Sequence, residues 1–197
     1  MPTFIDRLPL TQRAFAYAEQ MHAGQSRADG SPFILHPVEL ATLLHDAGAP
    51  DHLVAAGVLH DVIEKTEATV SDLRAQFGPA ITALVVSVSD DDRIAGYARR
   101  KAALRRQVAG AGDEALTLFA ADKLSKLREL RRETTAQNDG DPTTQGRPRE
   151  PRARRLRHYQ RSLALLEERL PQSPLVAALR DELQSFLGEL AQLAPAG

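Results

Sequence analysis

The sequence contains no cysteine. That absence removes disulfide scaffolds, thiol catalysis, Cys-ligated zinc and iron–sulfur clusters together. It also fits a reducing compartment. Neither sign of charge is in excess: 25 Lys and Arg stand against 26 Asp and Glu, a formal net charge of -1. A balance of that kind argues against a chain whose whole surface binds nucleic acid. No run of about 18 apolar residues occurs, so no membrane span is expected. The opening stretch MPTFIDRLPLTQR has no basic segment followed by an apolar core, and it is not read as a signal peptide. The expected address is the cytoplasm.

What is present is an ordinary soluble composition, 43% hydrophobic and 26% charged over 197 residues. A chain of this length is expected to form one domain spanning 1–197, with a core over about 10–170, burying about 70% of its unfolded surface without a covalent or metal staple. Periodicity predicts helix almost throughout, and so an all-α fold. Residues 11–23 put Phe15, Ala18, Met21 and His22 on one face. A second helix is expected from His36-Pro37 to Gly48, and a third from about Asp51 to Lys65. The centre of the third, LVAAGVLHDVI, is apolar almost all round, which predicts a buried helix. Thr69 to Asp72 reads as a capping box opening a short helix that ends at Phe77-Gly78. Residues 79–88 fit helix or strand. Helices are further expected over about 97–108, 113–132, 151–170 and 174–192. Residues 133–150 are crowded with Gly, Pro, Asp, Asn and Thr, which predicts a mobile loop.

Two of the six histidines form His-Asp dipeptides. His45-Asp46 falls at a helix end before Gly48 and Pro50, where a polar last turn explains it. His60-Asp61 falls inside the most apolar helix, where burying an imidazole and a carboxylate costs several kcal/mol unless partners or a metal satisfy them. A hydrogen-bonded pair in the core is the plain alternative. Glu64 is one helical turn beyond His60. His60 and Asp61 can bind a divalent metal, and Glu64 can accept a proton from water acidified by it. Such a site needs further N or O donors. His36, before Pro37, is one candidate. Asp122, an acid in the apolar run LTLFAADKL, is another, although a pair with Lys123 would also account for it. The stretch 147–161 carries seven arginines against one acid, Glu150. Most of these read as a solvated face, with one or two able to clamp phosphate. Arg99-Arg100-Lys101 and Arg105-Arg106 form a second basic run.

The ordered series of motifs points to a known family. It runs His22-Ala-Gly-Gln25, Arg27-Ala-Asp29-Gly30, Pro32-Phe-Ile-Leu-His36-Pro37, Ala55-Ala-Gly-Val-Leu-His60-Asp61-Val-Ile-Glu64, Phe77-Gly78 and Ala121-Asp122-Lys123-Leu124. Over about residues 10–165 this resembles the HD-domain hydrolases of the RelA/SpoT superfamily, in size the stand-alone small alarmone hydrolases. The resemblance implies a helical bundle around one metal, usually manganese, held by His36, His60, Asp61 and Asp122. It implies Glu64 as the acid that activates water, and Arg27 with the Arg155…Tyr159 pair at the nucleotide. The implied reaction removes the 3′-diphosphate from guanosine tetra- or pentaphosphate, and some members take adenosine alarmones or NADPH. The implied partner is a small nucleotide, not nucleic acid or membrane, for a monomer or homodimer. No synthetase module is expected in this length.

Three positions depart from the family pattern. Lys65 stands where the family has Asp after the catalytic Glu, and it can lower the pKa of Glu64 or bind a phosphate oxygen. Lys126 stands where an Asn serves the nucleotide, and Ala28 where a basic residue is common. These changes leave open another nucleotide substrate, or a domain that binds without catalysis.

Overall fold

The computed structural model describes residues 2–27, 29–138 and 150–193. A 3-10 turn, Ile5–Arg7, leads into α1 (Pro9–Met21), α2 (Leu35–Asp46), α3 (Asp51–Leu59), α4 (Val62–Lys65) and α5 (Val70–Val88). Then come α6 (Tyr97–Gly110), α7 (Asp113–Asn138), α8 (Arg152–Arg169) and α9 (Pro174–Leu193). The expected all-α class is what is seen: among the described residues the only extended pairing is an isolated bridge between Ser26 and Pro32. No helix of the described residues is long and apolar enough to cross a membrane.

The core is built around α3, in which every residue from Leu53 to Leu59 is buried. A helix with no polar face must be wrapped on all sides, and α1, α2, α5 and α7 do this. Gly57 permits the close approach of α2, because a Cβ there would lie 2.4 Å from Cδ1 of Leu44. The other end of α3 holds α1 in place. Asp51 accepts the backbone N–H groups of Leu10 and Thr11, each at 2.9 Å, and the Thr11 hydroxyl at 2.7 Å. One carboxylate thus caps a second helix, satisfying donors that have no partner within α1.

Two sequence expectations are altered by tertiary packing. The helix expected over Asp51–Lys65 divides after Leu59, and His60 and Asp61 form the joint before α4, Asp61 with φ -95° and ψ -5°. The Thr69–Asp72 capping box is present, and its helix ends at Phe77-Gly78 as expected, where Gly78 leaves helical geometry with ψ 172°. Gly78 takes φ 79°, a conformation open to glycine, and α5 resumes at Pro79 after a kink. Residues 79–88 are helical, with Ile81, Leu84, Val85 and Val88 buried at three- and four-residue steps. Residues 133–138, expected as the start of a mobile loop, continue α7. Thr134 is buried there with its hydroxyl on the Leu130 carbonyl at 2.9 Å, and packing of α7 on α8 and α9 overrides the turn-forming residues. The rest of that expected loop, 139–149, lies outside the described residues.

Candidate metal centre

Three elements bring four ligand-type side chains to one point. The first turn of α2 supplies His36, the joint between α3 and α4 supplies His60 and Asp61, and the middle of α7 supplies Asp122. All four are 1–3% exposed. The Nε2 atoms of His36 and His60 are 3.1 Å apart. Oδ1 of Asp122 lies 3.8 Å from the first and 3.4 Å from the second. Asp61 lies 3.6 Å from His36 through Oδ2 and 3.3 Å from His60 through Oδ1. One ligand atom from each of His36, His60 and Asp122 falls within 4.8 Å of the others.

The hydrogen bonds behind these groups fix how they face. His60 Nδ1 is 2.8 Å from the Gly57 carbonyl. A carbonyl only accepts, so Nδ1 carries the proton and Nε2 turns a lone pair inward. His36 Nδ1 meets the Ser125 hydroxyl at 3.1 Å. Oδ2 of Asp61 and Oδ1 of Asp122 are buried and make no well-directed hydrogen bond, facing the ammonium groups of Lys65 at 3.7 Å and Lys126 at 2.8 Å respectively. Buried carboxylate oxygens are rarely left so, because desolvation is costly. Two imidazole nitrogens sharing an ion at about 2.0–2.1 Å stand about 2.9–3.4 Å apart, and the observed separation falls in that interval. An N₂O₂ donor set converging on one point therefore fits a divalent cation of the manganese or zinc kind.

The electrostatics agree. Burial would raise the Asp61 carboxyl, but His60, Lys126 and Lys65 hold it well below the usual carboxylate range. Asp122 is held low against its burial by Lys123 and Lys126. Burial and then the neighbouring His60 push His36 well below an ordinary imidazole. These three groups are thus deprotonated at neutral pH, the form that binds metal.

The centre opens into a cleft of about 990 Å³. Glu64, on α4, lines it and is exposed to it. Its Oε1 accepts the Asp90 backbone N–H at 2.6 Å. Crowding by the surrounding protein, followed by Asp61, raises its pKa against the opposing pull of Lys126. The Lys65 ammonium turns to Asp61 Oδ2 at 3.7 Å and sits 4.8 Å from the Phe33 ring centre. Lys126 lies 2.8 Å from Asp122 Oδ1 and 3.4 Å from Asp61 Oδ1, an internal cation on two of the ligand carboxylates. Arg27 is in the cleft wall, with its guanidinium committed to Glu129 at 3.1 Å and Glu39 at 3.9 Å. Arg155 is bound to Glu133 at 3.2 Å, and Tyr159 beside it is buried. Both line the cleft.

Sequence reasoning missed several members of this wall. Ser125 orients His36 and is fully buried. Its signal was its place one turn after Asp122. Lys123, considered only as a partner for Asp122, is buried, pairs with it and lies 4.5 Å from the Phe119 ring centre. Asp122, Lys126, Glu129 and Glu133 recur at three- and four-residue steps, one stripe of α7 facing the cleft. Tyr97 and Lys101 come from α6, whose basic run gave no hint of which residues turn inward.

A family model described as HD domain matches residues 14–144, so the chain belongs to the HD-domain family. Within it the chain is of the RelA/SpoT type. A GTP pyrophosphokinase of Streptomyces coelicolor is 36% identical over 123 residues, 61% of this chain and 14% of the relative. A probable guanosine-3′,5′-bis(diphosphate) 3′-pyrophosphohydrolase of Synechocystis is 44% identical over 77 residues, 39% of this chain and 10% of the relative. The chain thus spans about a seventh or less of the length of these two curated relatives. Among solved structures, a metazoan SpoT orthologue that hydrolyses ppGpp superposes with a TM-score of 0.71 at 23% identity, covering 89% of this chain and 94% of the other. Lmo0812 from Listeria monocytogenes gives 0.67 at 26%, covering 79% and 96%.

Proposed function

We propose that this chain is a metal-dependent phosphohydrolase that removes the 3′-diphosphate from guanosine tetra- or pentaphosphate and releases pyrophosphate. The observation that carries the reading is the convergence of His36, His60, Asp61 and Asp122 beside a cleft lined by six Lys or Arg and six Asp or Glu side chains. A phosphoester substrate is polyanionic, and the cations of this lining can face it. The names of the relatives and of the metazoan structural neighbour favour an alarmone over other phosphoesters.

His36, His60, Asp61 and Asp122 would hold the metal, with manganese the ion to try first. A divalent ion at such a site supplies a lowered pKa for water, from about 15.7 towards about 7. Glu64 is the base. Its Oε1 is fixed by the Asp90 backbone, which leaves Oε2 to take the proton, and its raised pKa brings it nearer to the range of an efficient base at neutral pH. Lys65, Lys123 and Lys126 meet the charge of the leaving diphosphate. Arg155 and Tyr159 face the nucleotide from α8, and Arg27 props the opposite wall through Glu129 and Glu39.

The test is pyrophosphate release from guanosine tetraphosphate with added manganese, run beside Glu64→Ala. Release should fall by roughly 10²–10⁴-fold in the variant, the usual worth of a positioned base. A second reading is favoured by Lys126, whose ammonium already sits on two ligand carboxylates: a domain that binds nucleotide with little catalysis. No release by metal-loaded protein from guanosine, adenosine or NADPH substrates would support it.

A further inference from the structure

Two basic runs in the sequence are far apart along the chain, one near 99–106 and one near 147–161. The fold packs α6 on α8 and sets one stripe from each against the other. Lys101 and Arg105 are four residues apart on α6. Arg154, Arg157 and Arg161 recur at three- and four-residue steps on α8. These five cations, with Tyr97, Ala98 and His158, line a separate small pocket of about 100 Å³. No carboxylate lines it.

Like charges brought together without counter-ions repel, and surface arginines ordinarily spread out or pair. Here Arg154 is paired with Glu150 at 2.9 Å and Lys101 with Asp90. Arg157 and Arg161 have no ion-pair partner among the described residues. Arg105 is half-buried and cannot swing away, because its NH1 donates to Nδ1 of His158 at 2.8 Å. Burial, and after it the charge of Arg161, pulls the Arg105 guanidinium below its ordinary value. A pocket of about 100 Å³ has room for a phosphate group. Guanidinium groups suit that geometry because each can give two parallel hydrogen bonds.

We propose that this pocket is a second anion site, distinct from the metal-bearing cleft, which takes a single terminal phosphate group. Tyr97, Lys101 and His158 belong to the walls of both spaces. One ligand with phosphates at both ends can therefore reach from the cleft into the pocket, or a free phosphate can occupy the pocket by itself. The first source rests on the phosphohydrolase reading, and the second does not.

The experiment is calorimetric titration of the full chain with inorganic phosphate at constant ionic strength. It is repeated on Arg157→Gln/Arg161→Gln and on Arg74→Gln, an exposed arginine of α5 on another face. Arg157 and Arg161 are exposed, so the double variant should fold, which its melting curve checks. Phosphate affinity should drop by about tenfold or more in the double variant and stay unchanged in Arg74→Gln. Equal affinity in the wild type and the double variant, or an equal loss in Arg74→Gln, overturns the proposal. The titration needs no turnover, so it tests the pocket even if the chain hydrolyses no alarmone. The source is then assigned by KM. If KM rises for guanosine tetraphosphate but not for guanosine 3′-diphosphate with a free 5′-hydroxyl, the pocket holds the far phosphates of the substrate. If KM is unchanged for both while phosphate binding is lost, the pocket is a separate effector site.

Discussion

Replacing Ser125 by alanine should weaken metal binding without touching a ligand. The two histidines are anchored differently. His60 leans on a backbone carbonyl, Gly57 at 2.8 Å, which no side-chain change removes. His36 leans on the Ser125 hydroxyl at 3.1 Å. Ser125 is fully buried, so water does not readily replace the lost hydroxyl, and the His36 ring loses the partner that fixes its orientation. Loss of a group that orients a ligand histidine costs about 10–100-fold in metal affinity, or about 1.4–2.7 kcal/mol. The global cost should be about 1–2 kcal/mol, one buried hydrogen bond left half-made. The assay is calorimetric titration with manganese, beside His36→Ala as the limit in which the ligand is gone. Imidazole nitrogen chemical shifts report the His36 tautomer in the metal-free protein. Manganese affinity within about twofold of wild type in Ser125→Ala, with His36→Ala abolishing binding, would refute the argument that this hydroxyl sets the ligand.

Three further outcomes are expected. Lys126→Met should tighten manganese binding by at least about fivefold, since an ammonium held on Asp122 and Asp61 no longer has to be displaced; calorimetry showing weaker binding would count against it. Asp51→Ala removes three hydrogen bonds that hold the start of α1, two of them to backbone donors. It should cost about 2–4 kcal/mol and lower Tm by roughly 5–15 °C, with Asp46→Ala as an exposed control that moves Tm little. His158 should make the protein acid-labile. Burial, then Lys123 and Lys101, keep its imidazole far below its ordinary value, so the native state stays neutral where the unfolded chain takes a proton near pH 6.5. The stability it lends is complete above about pH 6.5 and falls as pH falls below that, by at most about 1.4 kcal/mol per pH unit. Urea midpoints between pH 7.5 and pH 5 should drop less steeply in His158→Gln, and equal slopes would contradict this origin.

The family resemblance carries beyond the ligands only in part. Arg27 keeps its place in the wall, yet two carboxylates hold it. It therefore shapes the cleft through Glu129 and Glu39 as much as through direct contact. Lys65 and Lys126, the two departures next to the centre, both turn their ammonium groups to Asp61. The positive charge at these positions thus acts first on Asp61, one of the candidate ligands.

The sequence by itself determined the helical class, because a period of three to four in apolar positions is a local property that survives packing. It also singled out His60, Asp61 and Asp122 as candidate donors, since they lie in apolar segments that tolerate them only when satisfied. What it could not decide were relations among residues far apart in the chain. The break after Leu59, which aims His60 and Asp61 at the same point, has no breaker residue to announce it. The extension of α7 through Asn138, past residues that favour turns, follows from its contacts with α8 and α9. Which arginines of α8 face α6, and which lysines reach the carboxylates, depended on helix packing angles and burial. Tertiary structure alone sets these, because the partner of such a side chain is far away in sequence and no local rule specifies it.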